Sequence, residues 1–135
     1  MTDATKAPRE RPLSPHLSQW RWHITMATSI LHRATGVALY VGALIVAAWA
    51  ISLAGGAETY GAFKGLLGSP LGKVVMFGLT VSFFYHLANG IRHLVWDLGH
   101  GLDLKSANAS SVLVLAFTAA ATAAIWIIAA MTGAL

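Results

Sequence analysis

Cysteine is absent from the 135 residues of this chain. That excludes disulfides, thiolate-bound zinc, cysteine-ligated iron–sulfur clusters and a thiol nucleophile. Charge is scarce too, at 10% Asp, Glu, Lys and Arg, against about a quarter in soluble domains. There is no glycine fingerprint for a dinucleotide, no internal repeat and no low-complexity tract. What is abundant is apolar: 56% of residues are hydrophobic and the mean hydropathy is +0.65. Such a composition belongs to a membrane protein rather than to a water-facing globule.

The net charge of +4 does not describe a nucleic-acid-binding face, and no nucleic-acid partner is expected. Lys6, Arg9, Arg11, Arg21 and Arg33 lie before and at the start of the first apolar segment, the distribution of a positive-inside anchor. Nearly thirty mostly polar residues precede that segment, so a cleavable secretory signal is not expected. Asp3 and Glu10 argue against a mitochondrial transit peptide. The expectation is a multi-pass protein of the bacterial inner (cytoplasmic) membrane, inserted by its own first helix.

Three segments approach the roughly 20 residues that a bilayer core requires. The first runs from about Ile30 to Ala54 and ends at Gly55-Gly56. The second follows Ser69-Pro70, with proline suited to a first helical turn, and continues to about Leu98 before Gly99. The third covers about Ser110 to Met131, with Gly133 at its exit. The expected fold class is an all-α membrane protein, three transmembrane helices preceded by an interfacial segment. Residues 1–29 form the cytoplasmic and interfacial stretch, and residues 30–135 the three-helix anchor domain. The loop Gly55–Ser69 holds only Glu58 and Lys64 as charges; the basic bias thus places the N-terminus in the cytoplasm. Pro12 and Pro15 interrupt any helix before the first span. Trp20, Trp22 and His23 mix there with Arg21, as in an aromatic belt at headgroup level or a docking surface for a cytoplasmic partner.

Ionisable groups at membrane depth usually mark a cofactor, an ion path or a buried polar partner. His86, Gly90, His93 and Asp97 recur at i, i+4, i+7 and i+11, one stripe of an α-helix. A neutral imidazole facing a bundle is a common haem ligand, and a glycine one turn away leaves flat space for a macrocycle. The plainer reading of His86 is a hydrogen bond to a neighbouring helix. Ser29, Arg33, Gly36 and Tyr40 repeat the spacing on the first span, with His32 beside them. Arg33 suits a carboxylate pair such as haem propionates, or snorkels at a helix end. Ser29 offers a hydroxyl to a carbonyl-bearing ligand, or caps the helix. By depth His32 and His93 match, whereas His86 has no histidine partner at its own level. Haem would then be held either by His32 and His93, or by His86 with a ligand from another polypeptide.

Three pieces of the chain together resemble the larger membrane-anchor subunit of succinate dehydrogenase, the cytochrome b chain of respiratory complex II. They are Arg11-Pro12-Leu13-Ser14-Pro15-His16-Leu17, then Ser29-Ile30-Leu31-His32-Arg33-Ala34-Thr35-Gly36, then His86 through Asp97 (HLANGIRHLVWD). The resemblance covers nearly the whole chain. It implies that His86 is an axial ligand of haem b, with the second ligand from a smaller anchor subunit. His32, Arg33 and His93 would lie near the propionates, while Ser29 and Arg33 would border the ubiquinone site beside the iron–sulfur subunit. Asp97 would assist proton delivery, and the third helix would be scaffold. The implied assembly, with a flavoprotein subunit that oxidises succinate, links the tricarboxylic acid cycle to electron transport. This chain would not itself oxidise succinate. Rival readings are a self-contained small b-type cytochrome and a cofactor-free structural subunit. Fumarate reductase is a close cousin, and helices alone do not fix the direction of catalysis.

Overall fold

The computed structural model describes residues 20–133. Lys6, Arg9, Arg11, Pro12, Pro15 and the Arg11–Leu17 piece of the resemblance lie outside the described residues. The described chain contains four helices: α1 (Ile24–Ala54), α2 (Ala57–Gly68), α3 (Pro70–Asp97) and α4 (Leu104–Met131). Three of them, α1, α3 and α4, are long and apolar enough to cross a membrane, as the all-α membrane reading expects. α3 packs against both α1 and α4, which also touch each other.

Two of these elements differ from expectation. α1 begins at Ile24, six positions before the anticipated span. Nothing between His23 and Ile30 stops a helix, so it propagates beyond the hydrophobic stretch; its 31 residues would extend about 46 Å at 1.5 Å per residue. The segment Gly55–Ser69, read as a loop, contains α2. Its Phe63, Leu66 and Leu67 border an apolar groove with Val41, Leu44 and Ile45 of α1. Gly61 and Gly65 weaken the helical signal in that stretch, which is why packing rather than propensity reveals it.

Helix ends follow local chemistry. The Ser69 hydroxyl accepts the Gly72 amide at 3.1 Å, and Pro70 occupies the first turn of α3, where its missing N–H costs nothing. At the other end Gly99 adopts φ +80°. Its amide reaches the Trp96 carbonyl and the His100 amide reaches Val95, which satisfies the last carbonyls of α3. Asp103 caps α4 by accepting the Ser106 amide at 3.0 Å. Gly72 has a steric role, because a side chain there would collide with the Leu66 and Leu67 carbonyl oxygens.

The interior is small and polar, whereas the outside is apolar. Buried on α4 are Ala107, Ser111, Val114, Thr118 and Thr122, one helical stripe. Val37, Ile51 and Leu113 are among the many large side chains left exposed. Lipid tails are as apolar as leucine, so helices gain little by hiding leucine from them and associate instead through small residues and polar contacts. Ser82, Ser111 and Thr118 return their hydroxyls to carbonyls of their own helices, so burial leaves those donors satisfied.

Candidate functional site

The polar chemistry concentrates at one end of the bundle, where the first turns of α1 and α4 meet the last turns of α3. The described residues form two connected clusters there.

The first is a trio of imidazoles. The His32 and His86 rings stack at 3.9 Å between centroids, 10° from parallel, and His93 lies 5.0 Å from His32. The expectation that His86 lacks a histidine at its own level is therefore corrected. A Cβ on Gly36 would stand 3.2 Å from His86 Cε1, and one on Gly90 would stand 4.0 Å from His32 Cε1. Each ring thus rests over a glycine of the opposite helix. His32 faces Gly90, midway between His86 and His93, and reaches both. The space expected over Gly90 is faced by the His32 ring.

The hydrogen bonds of His86 define its tautomer. Its Nδ1 lies 3.1 Å from the His32 carbonyl oxygen and 3.3 Å from Thr35 Oγ1. A carbonyl can only accept, so Nδ1 carries the proton and Nε2 keeps its lone pair. An outer bond from the second ring nitrogen to a backbone carbonyl is how metal-binding histidines are oriented. In the same cluster His32 Nδ1 is buried without a hydrogen-bond partner, an unusual condition for a buried polar atom.

The second cluster centres on Arg92, which is only 6% exposed. Its Nε donates to Ser110 Oγ at 2.9 Å, its Nη1 to Thr28 Oγ1 at 3.0 Å and to Asn89 Oδ1 at 3.1 Å, and its Nη2 to the Ala107 carbonyl at 3.0 Å. The guanidinium also lies 4.0 Å from the Trp96 ring centroid, within cation–π range. One cation therefore joins α1, α3 and α4 through neutral acceptors. Tyr85 adds a 2.7 Å bond from its hydroxyl to the Thr28 carbonyl.

Asn89 couples the clusters. Arginine has only donors, so Asn89 must turn its oxygen to Arg92 and its NH2 to His93 Nε2, 3.3 Å away. His93 Nε2 then accepts, and the neutral ring carries its proton on Nδ1.

The remaining anticipated residues are placed differently. Ser29 and Arg33 are exposed on α1, and Arg33 Nε approaches the Ser29 carbonyl at 3.4 Å. They neighbour the trio without pointing into it. Tyr40 is 69% exposed, so the stripe Ser29–Arg33–Gly36–Tyr40 does not face α3 as a unit; Thr28, His32, Thr35 and Gly36 do. Asp97 is exposed at the end of α3. The third span is more than plain scaffold, because Ser110 and Ala107 bind Arg92. Sequence reasoning missed the stripe Tyr85, Asn89, Arg92, Trp96, its first three members buried and Trp96 half-buried, which has the same spacing as His86–Gly90–His93–Asp97 displaced by one residue. Outside the spans, hydrogen bonds from the Ser106 side chain and backbone hold the Asp103 carboxyl below the usual carboxylate range.

These features define a multi-pass all-α membrane protein with its imidazoles and its buried guanidinium gathered at one end. The family model for the succinate dehydrogenase/fumarate reductase transmembrane subunit matches residues 7–125, and the chain belongs to that family. It is 38% identical over 118 residues to a succinate dehydrogenase cytochrome b556 subunit of Rickettsia felis, covering 87% of this chain and 92% of that one. A cytochrome b556 subunit of Paracoccus denitrificans is 35% identical over 106 residues, covering 78% and 82%. A mitochondrial cytochrome b560 subunit of Sus scrofa is 44% identical over 110 residues. That match takes in 80% of this chain and 65% of the pig protein, so the chain spans about two-thirds of the mitochondrial relative.

Proposed function

We propose that this chain is the cytochrome b anchor of a succinate:quinone oxidoreductase. In this reading it shares a haem b with a second, smaller anchor polypeptide and forms part of a ubiquinone-reduction site. The observation that carries the proposal is the His86 imidazole, oriented by its bond to the His32 carbonyl with Nε2 left free. The residues present fit the group: His86 would ligate its iron, and His32, Arg33 and His93 would hold its acidic edge. The unpartnered His32 Nδ1 offers a further polar contact. When bound, haem b would supply a one-electron centre.

A ligand from another chain is supported by the stacking. A porphyrin between His32 and His86, or between His32 and His93, would require their rings to stand farther apart than 3.9 or 5.0 Å. Ser29 and Arg33, exposed beside the trio, are suited to border a quinone head group at a subunit boundary. The guanidinium orients a carbonyl oxygen and stabilises negative charge there, and the Ser29 hydroxyl donates a second hydrogen bond. Reduction of a quinone by two electrons consumes two protons, which favours a site near water. Asp97, exposed at the same end of the bundle, would help deliver them. The iron–sulfur and flavoprotein subunits would complete the assembly on the cytoplasmic face of the inner membrane, where the basic N-terminus would lie.

Co-expression tests the reading. The chain purified alone should lack a stable b-type spectrum and acquire one with its partner anchor. A reversible spectrum from the lone chain would indicate a self-contained cytochrome, and no spectrum in either preparation would indicate a structural subunit.

A further inference from the structure

The end of the bundle opposite the imidazoles holds a groove of about 750 Å³ between α2, α3 and α4. Its lining carries two cations, Lys64 and Lys73, and no acidic residue. Met76 and Thr80 of α3 and Ile125 and Trp126 of α4 form the walls. From Lys73 to Thr80 the wall descends seven residues, about 10 Å along the helix toward the membrane centre.

Lys73 is the feature local structure does not explain. It sits in the first turn of α3, where the helix dipole disfavours a cation and favours an anion. Lys64 of α2 lines the same groove, so both cationic side chains and the first turn of α3 border it. Trp126 stands edge-on to Phe77 at 5.2 Å in the last turns of α4, and its amphipathic ring suits the headgroup level. If the N-terminus is cytoplasmic, both lysines also lie on the side where basic residues are depleted. A positive mouth above an apolar slot at a bilayer boundary has the chemistry of an anionic phospholipid.

We propose that this groove binds an anionic phospholipid, with its phosphate between Lys64 and Lys73 and an acyl chain along Met76, Thr80 and Trp126. The lipid closes the α2–α3–α4 junction from outside and is independent of the haem and quinone chemistry at the other end.

The test is native mass spectrometry of the full complex in mild detergent, titrated with phosphatidylglycerol or phosphatidylcholine. The parent should retain phosphatidylglycerol preferentially, and the K64Q/K73Q variant should lose that preference by roughly thirtyfold, the scale expected for two lysines beside an anionic headgroup. Ala129→Phe, which obstructs the slot without changing charge, should lower retention of phosphatidylglycerol as well. Helicity and any haem spectrum should stay as in the parent, which separates lipid loss from misfolding. Equal retention of both lipids by the parent, or an undiminished preference in K64Q/K73Q, would overturn the proposal. So would displacement of the lipid by millimolar inorganic phosphate, since the slot would then be only an anion site.

Discussion

His32 and His86 stack face to face at 3.9 Å, and the backbone carbonyl of His32 accepts the Nδ1 proton of His86 at 3.1 Å. One residue of α1 thus both covers a face of the α3 imidazole and decides which nitrogen is free. This double contact depends on Gly36 and Gly90, which let each ring settle against the opposite helix. In the proposed function, this contact would prearrange the His86 ring within the chain itself.

His86→Ala removes the only imidazole in the trio with its tautomer set by a backbone carbonyl. Haem retention in the co-expressed complex should fall by more than roughly tenfold, a loss that even second-shell partners can cause. Reduced-minus-oxidised absorbance measures it, and circular dichroism should show the helices intact. An undiminished haem spectrum would remove His86 from the ligand position.

Gly36→Ala would place a methyl group 3.2 Å from His86 Cε1. The ring must tilt and its bond to the His32 carbonyl weaken, lowering haem affinity by about tenfold. Gly42→Ala meets the pliable Leu79 side chain at 3.1 Å and serves as the control for helix crowding. Haem titration should separate the two variants; equal losses would mean that only helix spacing matters.

Arg33→Leu should lower quinone reduction by about tenfold or more, the effect of losing one charge-assisted hydrogen bond. Succinate oxidation with a soluble dye acceptor should stay near the parent rate. Equal loss in both assays would place the defect in assembly rather than at the quinone.

Arg92→Leu breaks bonds to Thr28, Ala107 and Ser110 on two other helices. At about 0.6 kcal/mol for each interhelical bond, roughly 2 kcal/mol of bundle stability should be lost. Lysine should not rescue it, because one ammonium cannot span acceptors set around a planar fork. Unfolding in mixed micelles measures the effect; parent-like stability in Arg92→Lys would show that charge alone is needed there.

The Asp103 cap should make the start of α4 sensitive to acid. Hydrogen bonds from Ser106 lower its folded pKa, so the stabilisation is fully present above the unfolded value of about 3.9. It is lost as pH falls through the lower folded value. Amide exchange at Ser106 should quicken over that window, and Asp103→Asn should abolish the pH dependence. A Ser106 amide with the same protection at every acidic pH in the parent would refute the cap's role.

Much of the site was legible because its pieces are local. Spacing alone marks His86 and His93 as neighbours on one helix, and His32 as a histidine at the start of another. The role of Arg92 was not legible, since its partners Thr28 and Ser110 lie 64 and 18 residues away. Serine and threonine in an apolar helix carry no mark distinguishing a hydroxyl that binds a guanidinium from one that bonds its own backbone. Ser29 and Arg33 stood out as polar groups near a helix end, yet Thr28 and His32, one position earlier, are the residues turned inward.

From the sequence alone come the number and order of the spans and the stops at Ser69-Pro70 and Gly99. Each depends on contiguous apolar length or on the backbone preferences of single residues. Only the tertiary structure decided which way each span faces and how α1 aligns with α3. A helix that is apolar nearly all round has no polar face to set its rotation, so stripes one residue, or about 100°, apart look alike in sequence. Packing breaks that tie: glycine admits an imidazole, and a buried guanidinium must find acceptors on every helix it touches.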